Sequence, residues 1–193
     1  MTKKHLTFAI FGNSFQPRKS QSLMRVLDFL RSKGASIIFD RTFYDFLTAE
    51  QNQELGNVGT FDGDDFNADY VISMGGDGTF LKAAVRVGIK SIPLIGINMG
   101  RLGFLADVLP GEVESALQAV LEGNYNIEEH TAIQISTNGG DFDGCHYALN
   151  DIAVLKRDIA SMIGIHTSID GSFLVNYQAD GLIVSTPTGS TAY

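Results

Sequence analysis

Three glycines and a single carboxylate stand together in Gly75-Gly76-Asp77-Gly78-Thr79, a composition suited to phosphate chemistry. A turn with so little side-chain bulk lets backbone N–H groups crowd against an anion, and a helix starting there adds the positive end of its dipole. Asp77 is the odd residue. A carboxylate repels a phosphate, so here it suits a base, a hydroxyl acceptor or a Mg²⁺ contact. Asp-Gly is also a hairpin signal, but the flanking residues favour a strand-to-helix turn. Residues 69–74 are a short, mostly apolar run that reads as a strand covered on both faces. Residues 80–87 fit a helix stopping at Gly88 and lack the alternation that a second hairpin strand needs.

The elements that must position this turn alternate in type. Strand signals at 6–11, 35–39 and 92–97 are interleaved with helical spacing at 23–30, 43–55 and 111–121. Such βαβα order predicts a doubly wound parallel sheet with helices on both faces. Ligands bind such sheets at the carboxyl ends of the strands, where Asp77 and the turn Asn98-Met99-Gly100-Arg101 both fall and can face one cleft. After about Asn126 the segments 132–137, 146–156, 163–169, 173–177 and 179–185 alternate as strands, with hairpin turns at 138–141 and 170–172. The reading is an α/β domain over 1–125 and the start of a mainly antiparallel β domain over 126–193. Residues 186–193, small and hydroxyl-rich around Gly189, are either a backbone-lined concavity suited to a nucleotide or a flexible tail.

Composition narrows the function classes. With 193 residues, 44% hydrophobic and 19% charged, the chain can build a real core. No apolar run reaches the roughly 18–20 residues of a membrane span and no signal-peptide layout is present, so no membrane partner and a cytoplasmic location are expected. The lone Cys145 excludes an internal disulfide and a cysteine-based zinc cluster. A formal charge of −8 gives no electrostatic footprint for nucleic acid, so a phosphorylated ligand must be held by a local arrangement. The loop aspartates Asp62, Asp64 and Asp65 read as solvated surface, and His5, His130, His146 and His166 lack metal-ligand spacing. Phe11-Gly12-Asn13-Ser14-Phe15-Gln16 after the first strand is not the Gly-x-Gly-x-x-Gly of a dinucleotide-binding oxidoreductase, and no Walker loop is present.

Taken together, the 75–79 turn, the pair Asn150-Asp151 and the closing run 180–193 (DGLIVSTPTGSTAY) resemble the NAD kinases of bacterial type, which phosphorylate the adenosine ribose 2′-hydroxyl of NAD. The glycine turn alone is shared with phosphofructokinases and lipid kinases; the other two motifs single out the NAD kinases. The run 96–105 (GINMGRLGFL) is similar to a stretch linking the two domains in that family. The resemblance implies that Asp77 accepts the 2′-hydroxyl proton and that Gly75, Gly76, Gly78 and Thr79 receive the donor phosphates. It implies an NAD-contacting set of Asp77, Gly78, Lys82, Asn150, Asp151, Ser161, Gln178, Asp180, Thr191, Ala192 and Tyr193. Lys82, one turn beyond Gly78, is either a phosphate contact or a solvated lysine. ATP or polyphosphate as donor, a divalent cation such as Mg²⁺, and a homo-oligomeric dimer or tetramer are further implications. Asp151 stands where the family usually has Glu. The family also continues past its Thr-Ala-Tyr motif, so the β domain is expected to be incomplete, with open strand edges. Two other readings are a noncatalytic nucleotide-binding fragment and a sugar-phosphate or lipid kinase.

Overall fold

The computed structural model describes residues 5–12, 20–100, 103–139, 146–157 and 160–192, which fall into two compact units, Met1–Glu128 and Glu129–Tyr193. In the first unit β1 (Thr7–Gly12), β2 (Ser36–Asp40), β3 (Gly59–Phe61), β4 (Tyr70–Gly75) and β5 (Leu94–Asn98) pair in parallel in the order β3-β2-β1-β4-β5. The helices are α1 (Ser20–Ser32), α2 (Arg41–Asp45), α3 (Asp77–Val87) and α4 (Val113–Glu122).

Strand geometry explains why the central strands read as continuous apolar runs. Phe8 and Ile10 of β1 and Ile72 and Met74 of β4 face one way and pack with Val26, Leu27 and Leu30 of α1 and Val113 and Leu117 of α4. The alternate residues Ala9, Phe11 and Val71 face the other way and pack with Ala83 and Val87 of α3. Both faces are covered, so both sets must be apolar. The first three strands wind in one direction from β1 and the last two in the other, which puts the topological switch point between β1 and β4. There Gly12 lies beside Met74, and Gly75 opens the turn into α3.

One helix expectation is corrected in this unit, and one strand is added to it. The helix expected over 43–55 is the short α2 continued by a π-helical turn at Phe46–Glu50, and Asn52 breaks it with a left-handed φ of 50°. Asp40 starts α2 at the very end of β2 by accepting the Phe43 N–H at 3.2 Å, and the Phe43 ring fills the space over Gly12 where a Cβ would sit. The three-residue β3 carries too short a pattern to be read in advance.

In the second unit β6 (Ile133–Gln134) pairs with β7 (Tyr147–Ala148), β8 (Asp151–Leu155) with β11 (Gly181–Ser185), and β9 (Ile163–Ile169) with β10 (Ser172–Ala179), all antiparallel. The β9–β10 hairpin turns through Asp170 and Gly171, both at positive φ (50° and 78°), the conformation that a two-residue hairpin loop requires. The strand expected over 146–156 is broken at Leu149 and Asn150, whose carbonyls both take the Thr186 hydroxyl, Asn150 accepting the Thr186 N–H as well. The strand expected over 132–137 is reduced to β6, and the turn expected at 138–141 falls partly outside the described residues. Among the described residues no hydrophobic side chain of this unit is fully buried: Leu155 is 70% exposed, Phe173 61% and Val184 50%. Strands β8 and β11 are apolar on both faces, a pattern of strands meant to be covered twice.

The loop after β3 is not merely solvated. Asp62 pairs with Arg41 at 3.4 Å, and Asp64 pairs with Arg86, which also reaches Asp40 at 3.0 Å and lies over the rings of Phe11 and Phe61. Arg86 thus ties α3 to the carboxyl ends of β2 and β3. Removing it strips Asp40 of a charged partner and two rings of their cover, so Arg86→Ala should lower stability by about 2–3 kcal/mol in urea denaturation followed by circular dichroism. Arg86→Lys should recover less than half, since an ammonium cannot serve these partners at once. A change under about 0.5 kcal/mol for the alanine variant would show that the ion pairs contribute no more than an exposed pair does.

Candidate functional site

Asp77 is the first residue of α3, and its carboxylate turns toward the chain that follows β5. Oδ2 accepts the Phe104 N–H at 2.8 Å, while Oδ1 accepts the Leu105 N–H at 2.9 Å and the Ala106 N–H at 3.2 Å. Burial pushes the carboxyl pKa up, and the three amide donors outweigh it and hold the pKa below its ordinary value. Asp77 is therefore ionised at neutral pH. A carboxylate offers about four lone-pair positions, so this bonding leaves one acceptor site, on Oδ2.

The glycines divide the work around it. Gly75 has no room for a side chain, because a Cβ there would overlap the buried Thr79 that packs beneath the turn. Gly76 and Gly78 are different. Nothing lies within 4 Å of a Cβ built on either one, so this side of the turn is open. Helix geometry leaves the N–H groups of Asp77 and Gly78 without intrahelical partners, and the open face can admit an anion to them. Lys82 is exposed one turn further along α3.

The stretch 96–105 belongs to the first unit and does not link the two, which corrects the reading taken from the resemblance. Val108 forms a parallel bridge to Ile97 and exchanges backbone bonds with Gly96 and Asn98, so the chain loops out from β5 and returns beside it. The adjacency expected of the Asp77 and Asn98 turns is present: Gly75 pairs with Asn98, and the Met99 N–H donates to the Gly75 carbonyl at 3.0 Å. Arg101 lies outside the described residues. Gly103 must be glycine here, because a Cβ would overlap the Asp77 carboxylate. Sequence reasoning missed Gly103 as a partner of Asp77, and with it Phe104, 79% exposed, whose N–H bonds the same carboxylate. The signal was present as a glycine in an otherwise apolar run, but the contact it serves spans 26 residues of chain.

In the second unit the structure brings Asn150 and Asp151 together with the loop after β11. Asn150 Nδ2 donates to Asp151 Oδ2 at 2.8 Å, and the Asn150 carbonyl receives the Thr186 N–H at 2.9 Å and hydroxyls from Ser185 and Thr186. Thr186, 2% exposed, also accepts the Gly189 N–H at 3.2 Å. Gly189 packs so tightly on the Asn150 carbonyl that a Cβ would overlap it. Thr191 and Ala192 follow, both exposed; Tyr193 lies outside the described residues. Asp180 sits at the far end of the same β8–β11 ladder, ion-paired to Lys156 at 2.7 Å, about 14 Å away by strand rise. Ser161 and Gln178 belong elsewhere, near the start of β9, where Gln178 pairs with Gly164.

Among the described residues no three His, Cys, Asp or Glu side chains converge as a cation would need, and Asp77 already spends most of its acceptor capacity on amides. These residues do not fit a protein-built divalent-cation cage. Nor, among the described residues, is any helix long and apolar enough to cross a membrane.

The chain thus consists of an α/β unit with an open glycine turn at the switch point of its parallel sheet and, after it in sequence, a β unit with its own polar cluster. Residues 8–125 match the ATP-NAD kinase N-terminal domain and residues 149–193 the ATP-NAD kinase C-terminal domain, and the chain belongs to this family. It is 50% identical over 188 residues to an NAD kinase of Bacteroides fragilis, covering 97% of this chain and 65% of that protein. It is 38% identical over 185 residues to an NAD kinase of Porphyromonas gingivalis, covering 96% and 64%. The chain thus spans just under two thirds of the length of these relatives. A crystal structure of yeast NADH kinase complexed with NADH superimposes with a TM-score of 0.82 at 21% identity, over 100% of this chain and 60% of that one, which shows the shared fold.

The lowered pKa of Asp77 gives a signed pH dependence. A folded-state pKa below the unfolded value contributes stability that is present above the ordinary carboxylate range and is lost as pH falls through the folded pKa. The stability gap between wild type and Asp77→Ala should therefore narrow on acidification below about pH 4. Urea titrations at several pH values would check this, and a gap constant down to full protonation would show that the amide bonds do not favour the ionised form.

Proposed function

We propose that this chain carries the catalytic turn and part of the NAD site of a kinase that phosphorylates the adenosine ribose 2′-hydroxyl of NAD to give NADP. The observation that supports this most directly is the pairing of an ionised Asp77 with an open glycine turn at the switch point, in a chain of the ATP-NAD kinase family. The donor, ATP or polyphosphate, lays its terminal phosphates on the N–H groups at the start of α3, over Gly76 and Gly78 with Gly75 and Thr79 beneath, and Lys82 reaches the outer oxygens. Mg²⁺ enters this reading only as the companion of the donor's phosphates.

The 2′-hydroxyl approaches the free lone pair on Asp77 Oδ2. As its oxygen bonds to phosphorus and the bond to the leaving phosphate breaks, its proton passes to Asp77. A carboxylate of lowered pKa is a weak base, but a loose phosphoryl-transfer transition state asks mainly for alignment and only late for proton acceptance. Asn150 and Asp151 hold the ribose and adenine, Thr191, Ala192 and Tyr193 line the adenosine, and Asp180, Ser161 and Gln178 contact more distant parts of NAD. A cytoplasmic homo-oligomer, dimeric or tetrameric, completes the reading.

The test is NADP formation from NAD and ATP, resolved from other phosphorylated products by chromatography. Asp77→Asn should lower kcat by about 100-fold or more with NAD affinity little changed. Asn150→Ala and Asp151→Ala should each weaken NAD binding by about 1–3 kcal/mol in calorimetry. Phosphorylation of a sugar phosphate or lipid in place of NAD, or an Asp77→Asn variant retaining more than about a tenth of wild-type rate, would refute the reading.

A further inference from the structure

Asn98, at the end of β5, is 1% exposed and spends its amide on the loop that closes over Asp77. Its Nδ2 donates to the Ala106 carbonyl at 3.1 Å, and its Oδ1 accepts the Gly100 N–H at 2.7 Å. One buried side chain therefore grips the loop at both ends, at Gly100 where it leaves the sheet and at Ala106 where it returns. Ala106 is bound twice, its carbonyl by Asn98 and its N–H by Asp77.

We propose that Asn98 is a positioning residue for the phosphotransfer reaction: by clamping Gly100 and Ala106 it aims the amides of Phe104, Leu105 and Ala106 at Asp77, and so fixes the direction in which the remaining Asp77 lone pair points. The proposal rests on the phosphotransfer reading above. A buried amide that satisfies two backbone groups holds its surroundings in one arrangement, because leaving either group unpaired is costly. An error of about 1 Å at a catalytic group can lower a rate by about 100-fold. Asn98 is buried, so a ligand on the open face of the glycine turn does not reach its side chain and its loss should spare substrate binding.

The test compares wild type, Asn98→Ala, Gly103→Ala and the double variant. Gly103→Ala disturbs the same carboxylate from the half-buried loop, without touching the core, and keeps the test decisive if Asn98→Ala does not fold. Amide exchange at Phe104, Leu105 and Ala106 should quicken by about tenfold or more in each single variant, while the core amides of Ile10 and Ile72 keep their protection. The kcat for NADP formation should fall by about 10- to 100-fold with KM for NAD within about threefold, and the double variant should lose little beyond the worse single. Unchanged exchange at 104–106, or a loosened loop with unchanged kcat, would overturn the role of Asn98 and leave the phosphotransfer reading standing. Loss of core protection with kcat and KM both degraded would mark Asn98 as a structural residue only. A chain that makes no NADP even when extended to the full length of its relatives would refute the phosphotransfer reading, and this role with it.

Discussion

Three consecutive backbone N–H groups converging on one carboxylate hold the first unit's working end together. Each bond alone is modest, but a charged acceptor strengthens every one of them, and all three come from residues with no regular secondary structure of their own. Without Asp77 the loop after β5 would have to find other partners for those amides. Without the loop the carboxylate would sit at the positive end of α3, free to swing among several donors. The interaction is reciprocal: the residue that reads as chemistry is also the residue that orders its own surroundings.

That arrangement is possible because of where the sheet puts its strand ends. Winding outward in both directions from the β1–β4 boundary leaves Gly12, Gly75 and Asn98 together at the carboxyl end of the sheet. Small residues are required at that end for different reasons. Gly12 yields to the Phe43 ring, Gly75 yields to Thr79, and Gly96 yields to the returning backbone of Leu105 and Ala106. The open positions, Gly76 and Gly78, are small without any neighbour demanding it, which fits a surface kept clear for a ligand.

Much of this was legible in the sequence, and the failures have physical causes. The parallel sheet could be read because strands buried on both faces show as uninterrupted apolar runs between helical spacings, and Gly88 marked the end of α3 as expected. The role of Asp77 as a loop anchor could not be read, because its partners are backbone amides that carry no side-chain signature and lie 27 to 29 residues away. The run 96–105 was taken as a connection between domains from its resemblance to such a stretch; its Gly96 and Gly103 serve close packing within the first unit instead. Asn150 and Asp151 were found as a pair, but the break in the strand before them depends on the Thr186 hydroxyl, 36 residues further on. Residue type announces a turn well and announces a tertiary partner poorly.

The distribution of buried apolar side chains has a consequence for anyone who heats this protein. Every fully buried hydrophobic residue described lies between Phe8 and Leu117, so the heat-capacity change on unfolding, which scales with apolar surface newly exposed to water, originates almost wholly in the first unit. A calorimetric transition will report that unit. A ligand held by Asn150, Asp151 and the residues after Thr186 raises the observed midpoint only as far as the second unit melts together with the first, so thermal-shift screening would rank turn-binding compounds above equally tight binders of the second unit.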